Sequence, residues 1–210
     1  MLFEKIKRVL IFAPHTDDAE LGCGATIHKL TELKIDVFVV SFSSPPPPNK
    51  YFKCNLNLEM KKSLFELGIN SQNIFNYDFQ YRIFNENRQK ILDQMIELRE
   101  KLIPDLVFCP NANDNHQDHQ VIHQETKRAF KKQNILGYEL PWNDMNFSNN
   151  LFIKVSKINV DAKIMALNHY VSQKDKIYFQ KNFQIGLSQV RGSGIGEKHA
   201  EAFEAIRIIF

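Results

Sequence analysis

The segment from Val9 to Phe42 constrains the fold more than any other part of the chain. Val9–Ala13 (VLIFA) is an unbroken apolar run that stops at a polar cluster, Pro14-His15-Thr16-Asp17-Asp18-Ala19-Glu20. A strand covered on both faces reads this way, because its side chains meet apolar neighbours whichever way they point. Gly22 and Gly24 follow, then apolar residues at Ile27, Leu30 and Leu33, spaced as on one face of a helix. Asp36–Phe42 is a second β-rich run. Strand, helix and strand in this order predict a βαβ unit with parallel pairing and a crossover helix packed on the sheet.

The rest of the chain extends that pattern. Ser43–Lys53 holds four consecutive prolines and is expected to be an extended loop. Leu56–Leu67 reads as a helix ending at Gly68, and Ile74–Phe79 as a short strand. Glu86–Ile103 is an amphipathic helix through Ile91, Leu92, Met95, Ile96, Leu98 and Leu102, stopped by Pro104. Leu106–Cys109 is a buried strand ended by Pro110, Asp118–Lys132 a helix, and Ile135–Leu140 a strand closed by Pro141. Beyond Pro141 the pattern is less regular, with a helix at Asp161–Tyr170 and a Gly-rich stretch at Arg191–Gly196. No internal repeat or linker is evident. The expected fold is α/β and Rossmann-like, a mostly parallel sheet flanked by helices in a single domain over residues 1–210.

Composition removes several functional classes. With 210 residues, 43% of them hydrophobic and 24% charged, the chain is globular in character. No apolar run approaches the roughly 20 residues of a membrane-spanning helix, so no integral membrane segment is expected. The short apolar stretch near the N-terminus runs straight into His15 and two acids, unlike a signal peptide. A net charge of +3 is too small to argue for nucleic acid. Cys23, Cys54 and Cys109 form no C-x-x-C pair. They are expected as small buried hydrophobes in a reducing, cytoplasmic setting.

The chemistry is concentrated in two polar clusters, each placed directly after an expected buried strand. The second is Asn113-Asp114-Asn115-His116-Gln117-Asp118-His119. In an open α/β sheet ligands bind outside the carboxyl ends of the strands, near the point where strand order reverses. Two such clusters can therefore converge in space although about 100 positions separate them in the sequence. Two imidazoles and a carboxylate suit a zinc ion that keeps one position open for water. A second carboxylate can take the proton of that water, and a further histidine can stabilise charge on a substrate oxygen. This is the inventory of a metal-assisted hydrolase. It leaves open which aspartate is ligand and which is base. Each cluster alone also reads as a capped helix start or a solvated turn, and the two together favour the metal site.

The pieces APHTDDAELGCGATI and NDNHQDHQVI resemble the two signature segments of the LmbE-like, or PIG-L, family of zinc-dependent deacetylases, which remove the acetyl group from N-acetylglucosamine carried on various aglycones. ILGYELPWN, VRGSGIG and AEAFE resemble later segments of that family, so the likeness spans nearly the whole chain. The chain departs from the family pattern at Thr16, where proline is usual, and at Ala19, where many members have glutamate; here glutamate comes next, as Glu20. The resemblance implies that His15, Asp18 and His119 bind zinc, with iron(II) as an alternative metal. It implies Asp17 as general base, His116 as the residue that stabilises the oxyanion or protonates the leaving amine, and Asp118 as the carboxylate that orients His116.

Outside the clusters, Arg82 is a candidate contact for a sugar or phosphate, and Trp142 a candidate platform for a sugar ring. A Tyr-x-Ser-Gln element resembles one in the family and implies that Tyr170 and Gln173 face the site. His28 and His123 fall on expected helices and are read as surface or supporting residues. Arg191-Gly192-Ser193-Gly194 could cradle an anion only weakly, as a lone Gly-rich turn.

The implied substrate is a small N-acetylated sugar, sugar nucleotide or glycoside, and ILGYELPWN resembles members of surface-polysaccharide assembly. A thiol-precursor glycoside is the alternative substrate, and a catalytically inactive sugar-binding protein on the same fold the alternative class. Assembly into a homo-oligomer is compatible with the resemblance.

Overall fold

A computed structural model describes residues 5–43 and 55–209. The proline run and Cys54 lie outside the described residues. The first βαβ unit is β1 (Arg8–His15), α1 (Asp18–Glu32) and β2 (Asp36–Ser43). Then follow α2 (Leu56–Glu66), β3 (Ile74–Asn76), α3 (Arg88–Leu102), β4 (Leu106–Pro110), α4 (Gln117–Ala129) and β5 (Asn134–Tyr138). The chain closes with β6 (Leu151–Lys154), α5 (Lys157–Leu167), α6 (Lys181–Ser193) and β7 (Ala200–Arg207).

The strands form one seven-stranded sheet in the order β3-β2-β1-β4-β5-β7-β6. The first five strands pair in parallel, and β7 pairs antiparallel with β5 and β6. The period of two along the strands sorts side chains onto opposite faces. Val9, Ile11 and Ala13 of β1 join one apolar cluster, while Leu10 and Phe12 join the other. In β4, Leu106 and Phe108 face the first cluster, and Val107 and Cys109 the second. Helices α1, α2 and α5 contribute to the first cluster, and α3 and α4 to the second. Both faces are covered, which is why these strands read as continuous apolar runs.

The order of strands reverses at β1, which has β2 on one side and β4 on the other. That is the switch point at which doubly wound sheets bind ligands. The carboxyl ends of β1 and β4 open side by side there, and both polar clusters begin at those ends.

Several boundaries differ from the sequence-based expectation. β3 stops at Asn76, short of Phe79. α5 starts at Lys157 rather than Asp161 and ends before Tyr170. Its start is a capping box: Ser156 Oγ accepts the Asn159 N–H at 3.2 Å, and Asn159 Oδ1 accepts the Ser156 N–H at 2.8 Å. The Gly-rich stretch does not form an anion cradle, because Arg191–Ser193 complete α6 and the Arg191 guanidinium pairs with Glu139. Strands β6 and β7 and helix α6 are additions to the expected list. β7 escapes an apolar-alternation test because Glu201 and Glu204 turn inward to accept backbone N–H groups, from Ala25 and Thr26 and from Ala112. Cys23 and Cys109 are buried free thiols, as expected. No helix among the described residues is long and apolar enough to cross a membrane.

Candidate metal centre

β1 delivers His15 at its last position, and α1 starts three residues later with Asp18. The Asp18 carboxylate folds back so that Oδ2 accepts the His15 N–H at 2.8 Å. On the neighbouring strand end, His116 is the N-cap of α4, its Nδ1 accepting the Asp118 N–H at 3.2 Å. His119 lies on the first turn of α4. Helix starts leave N–H donors unpaired, and side-chain acceptors at these two starts fix the loops that carry the functional groups.

Three acceptor atoms converge between the loops. His15 Nδ1 is 3.2 Å from Asp18 Oδ2, Asp18 Oδ2 is 3.2 Å from His119 Nε2, and His119 Nε2 is 3.2 Å from His15 Nδ1. Donors at about 2.0–2.1 Å from a tetrahedral ion stand about 3.3 Å apart. The triangle therefore has the edge length of one face of such a coordination sphere.

The far side of each ring explains why these nitrogens face inward. His15 Nε2 lies 3.0 Å from Asp118 Oδ2, and His119 Nδ1 lies 2.7 Å from Asp114 Oδ2. A carboxylate takes the N–H of each imidazole and leaves the opposite nitrogen with its lone pair aimed at the centre, the usual support for a ligating histidine. The hydrogen-bond network assigns these tautomers. Two lone pairs and a carboxylate oxygen so close together repel unless a positive charge lies among them.

The electrostatics agree. Burial opposes ionisation of Asp18, but His119 and His15 outweigh it and hold its carboxyl well below the usual range. Burial likewise opposes charge on His119, yet Asp18 and Asp114 lift its pKa to about 10. The pocket calls for positive charge. The donor set fits a divalent cation that binds imidazole and carboxylate, zinc among them.

His116 belongs to a wider histidine group, its ligating atom lying with those of His15 and His119 inside a 4.8 Å span. It differs from both in burial and partners. It is half-buried, its Nδ1 is occupied by the Asp118 N–H, and only Nε2 remains for the site. Its ring stands 4.8 Å from His15 and 4.6 Å from His119, beside the triangle rather than part of it. Burial, then His119 and His15, lower its pKa to about 4. Asp17, the N-cap of α1, makes no capping bond with its side chain, and burial together with Asp18 raises its pKa to about 6.

The structure thus brings His15, Asp17, Asp18, His116, Asp118 and His119 together. It corrects the partner of Asp118: the carboxylate holds His15, while His116 meets only its backbone N–H. Among the outer residues, Tyr170 and Gln173 differ from expectation. Tyr170 is fully buried and cannot face a substrate; its hydroxyl bonds the Thr16 carbonyl and Glu20 Oε1, beneath the first loop. Gln173 is buried as well. Arg82 acts through its backbone, at a left-handed φ of 69°, where its N–H donates to Asp118 Oδ2 at 2.7 Å. The Arg82 guanidinium lies exposed over the Tyr81 ring. Trp142 is partly exposed but stacks on Tyr178 at 3.7 Å, so one face of its indole is already covered.

Sequence reasoning missed Asp114 and Tyr81. Asp114 is fully buried inside the second cluster, where the signal was a carboxylate five residues before His119. The Tyr81 ring packs edge-on to His15 at 4.7 Å, a contact that only the tertiary fold creates.

Comparison with known proteins shows the family and the fold of the chain. The chain is 27% identical over 179 residues to the "uncharacterized deacetylase YaiS" of Escherichia coli K12, covering 80% of this chain and 92% of that protein. Among solved structures it resembles N,N'-diacetylchitobiose deacetylase from Pyrococcus horikoshii, with a TM-score of 0.75 at 19% identity over 96% of this chain and 84% of that one. It also resembles GalB, the 4-carboxy-2-hydroxymuconate hydratase of Pseudomonas putida KT2440, with a TM-score of 0.80 at 14% identity over 98% of both chains. At such identities the two structures show a shared fold and no more. The family model described as PIG-L: GlcNAc-PI de-N-acetylase matches residues 10–130, which include both loops of the centre and more than half of the chain. The chain belongs to the PIG-L, or LmbE-like, family.

Proposed function

We propose that this protein is a metal-dependent hydrolase that removes the acetyl group from an N-acetylated sugar or sugar conjugate. The observation that carries the reading is the triangle of His15 Nδ1, Asp18 Oδ2 and His119 Nε2, with edges of 3.2 Å, flanked by Asp17 and His116. When bound, a divalent ion there supplies Lewis acidity, polarising a carbonyl and lowering the pKa of water from 15.7 toward about 7.

The chain's own groups do the rest. Asp17 makes no capping bond with its side chain and has a pKa raised to about 6, so it accepts a proton from the attacking water. His116, with Nδ1 already engaged, presents Nε2 to the developing oxyanion as an N–H donor. Asp17 then returns its proton to the leaving nitrogen. Water adds across the amide C–N bond, and the products are acetate and a free amine.

A nucleotide- or lipid-linked N-acetyl sugar of polysaccharide assembly is the substrate class favoured here, and a thiol-precursor glycoside the alternative. The shared fold with a hydratase motivates a second reading, in which the same base and cation add water to a carbon–carbon double bond. The test is release of acetate and free amine across a panel of N-acetylated sugars, sugar nucleotides and glycosides, with chelator and with zinc or iron(II) restored. Metal-dependent release is expected. No release from any member, with turnover of an unsaturated hydroxy acid instead, would overturn the deacetylase reading.

A further inference from the structure

Helix α1 is broken. Cys23 has φ −147° and ψ 27°, outside the helical range. In an unbroken helix the Ala25 N–H would reach the Leu21 carbonyl and the Thr26 N–H the Gly22 carbonyl. Here the Glu201 carboxylate accepts from Ala25 N–H at 3.2 Å and from Thr26 N–H at 2.7 Å. The Lys163 ammonium donates to the Leu21 carbonyl at 2.7 Å and to Glu201 Oε1 at 2.8 Å. A buried ion pair is thus spliced into the helix between Leu21 and Ala25. Every backbone group it touches flanks the break at Cys23.

Gly24 of the first signature makes room for this splice, and Gly22 makes room for Tyr138. A Cβ at Gly24 would lie 2.8 Å from Lys163 Cγ, and a Cβ at Gly22 would lie 2.4 Å from Tyr138 Cδ2. Both serve the close approach of a side chain. The part of α1 before the break, Asp18–Gly22, is a single helical turn that begins with Asp18. That turn and the residues before it are pinned from α5 and the segment that follows it. Tyr170, just past the end of α5, bonds the Thr16 carbonyl, and Lys163 within α5 bonds the Leu21 carbonyl. Lys163 and Glu201 both lie beyond residue 130, outside the segment that the family model matches.

We propose that the Lys163–Glu201 ion pair is a positioning device for the metal-binding turn: it fixes the angle of Asp18–Gly22 against the rest of α1, and through it the place of Asp18 Oδ2 opposite His15 and His119. The inference rests on the metal-site reading above. A buried pair is a weak source of stability, because desolvation offsets its attraction. Its use here is geometric, and its loss is read at the metal.

The experiment titrates the metal-free protein with Co²⁺ and follows its visible absorption bands, which report ligand geometry, alongside thermal unfolding. The proteins are wild type, Lys163→Met, Glu201→Gln and Leu98→Ala. Glu201→Gln keeps one oxygen, for the Thr26 N–H, and serves if Lys163→Met does not fold. Leu98→Ala thins the apolar cluster on the other face of the sheet and controls for general destabilisation. Loss of the ion pair is expected to weaken Co²⁺ binding about 10- to 100-fold and to change the absorption bands. Leu98→Ala is expected to lower Tm with neither effect. Wild-type affinity and spectrum in the folded ion-pair variants would overturn the proposal, as would equal weakening in Leu98→Ala. A wild-type protein that binds no Co²⁺ would refute the metal reading itself and this inference with it.

Discussion

The carboxylate of Asp118 lies 3.0 Å from Nε2 of His15, joining the start of α4 to the end of β1 across the mouth of the sheet. Two further donors hold that carboxylate in place, the N–H groups of Arg82 at 2.7 Å and Phe84 at 3.2 Å. Asp118 therefore acts on His15, where the sequence suggested action on His116. Asp118→Asn is expected to weaken metal affinity by roughly 10- to 100-fold, the usual cost of losing a ligand's partner. Competitive titration against a zinc-sensitive dye measures it. An unchanged affinity would return Asp118 to a purely structural role.

Asp17 and Asp18 are adjacent but differently engaged. Asp18 Oδ2 meets both histidines of the triangle, while the Asp17 side chain makes no capping bond. Asp17→Asn is expected to keep the metal and lose about 10²- to 10⁴-fold in turnover, because an amide cannot accept the proton. Asp18→Asn is expected to lose metal. Elemental analysis and a rate measurement on both variants separate the roles, and a reversed pattern would exchange them.

His116 discriminates between the triangle and the wider histidine group. If it is a donor to substrate, His116→Ala retains a full complement of metal and loses about 10²- to 10³-fold in rate. The variant also loses the cap on α4, at a cost of about 1 kcal/mol. Metal content measured after dialysis decides the matter: a sharp drop would make His116 a ligand.

Glu20 provides a pH signature of stability. Tyr170 has one hydroxyl proton, and the Thr16 carbonyl can only accept, so that proton points to Thr16. The remaining contact, from Glu20 Oε1 to the phenol oxygen at 2.8 Å, then needs the proton of a neutral carboxylic acid. Burial does raise the Glu20 pKa, to about 8 from an ordinary 4.5. An acid whose pKa is raised on folding gives stability that is fully present below its unfolded pKa and lost as pH rises through the folded one. Stability is expected to fall on the order of 1 kcal/mol per pH unit between those values. Glu20→Gln should remove this part of the slope. Thermal unfolding from pH 4.5 to 8 tests it, and parallel curves for wild type and variant would show that Glu20 is ionised in the fold.

Much of this architecture was legible in the chain. Strands buried on both faces need apolar residues throughout, so β1, β2 and β4 stand out, and the polar residues that interrupt them stand out equally. Because a switch point collects strand ends, His15, Asp17, Asp18, His116 and His119 could be assembled without coordinates. The C-terminal third was less readable, since β7 hides its pattern behind two inward glutamates and α6 carries glycines that weaken its helix signal.

What the sequence determined by itself was the kind of sheet and the set of groups at its mouth, because periodicity and residue type are local properties. Only the tertiary structure decided which group answers to which. Asp114 holds His119, Asp118 holds His15, Tyr170 is buried under the first loop, and Lys163 with Glu201 is set into the break of α1. The physical reason is reach. A hydrogen bond is satisfied within about 3 Å, and partners such as Leu21 with Lys163, or Ala25 with Glu201, come within that distance only when helices and strands far apart in the chain pack together.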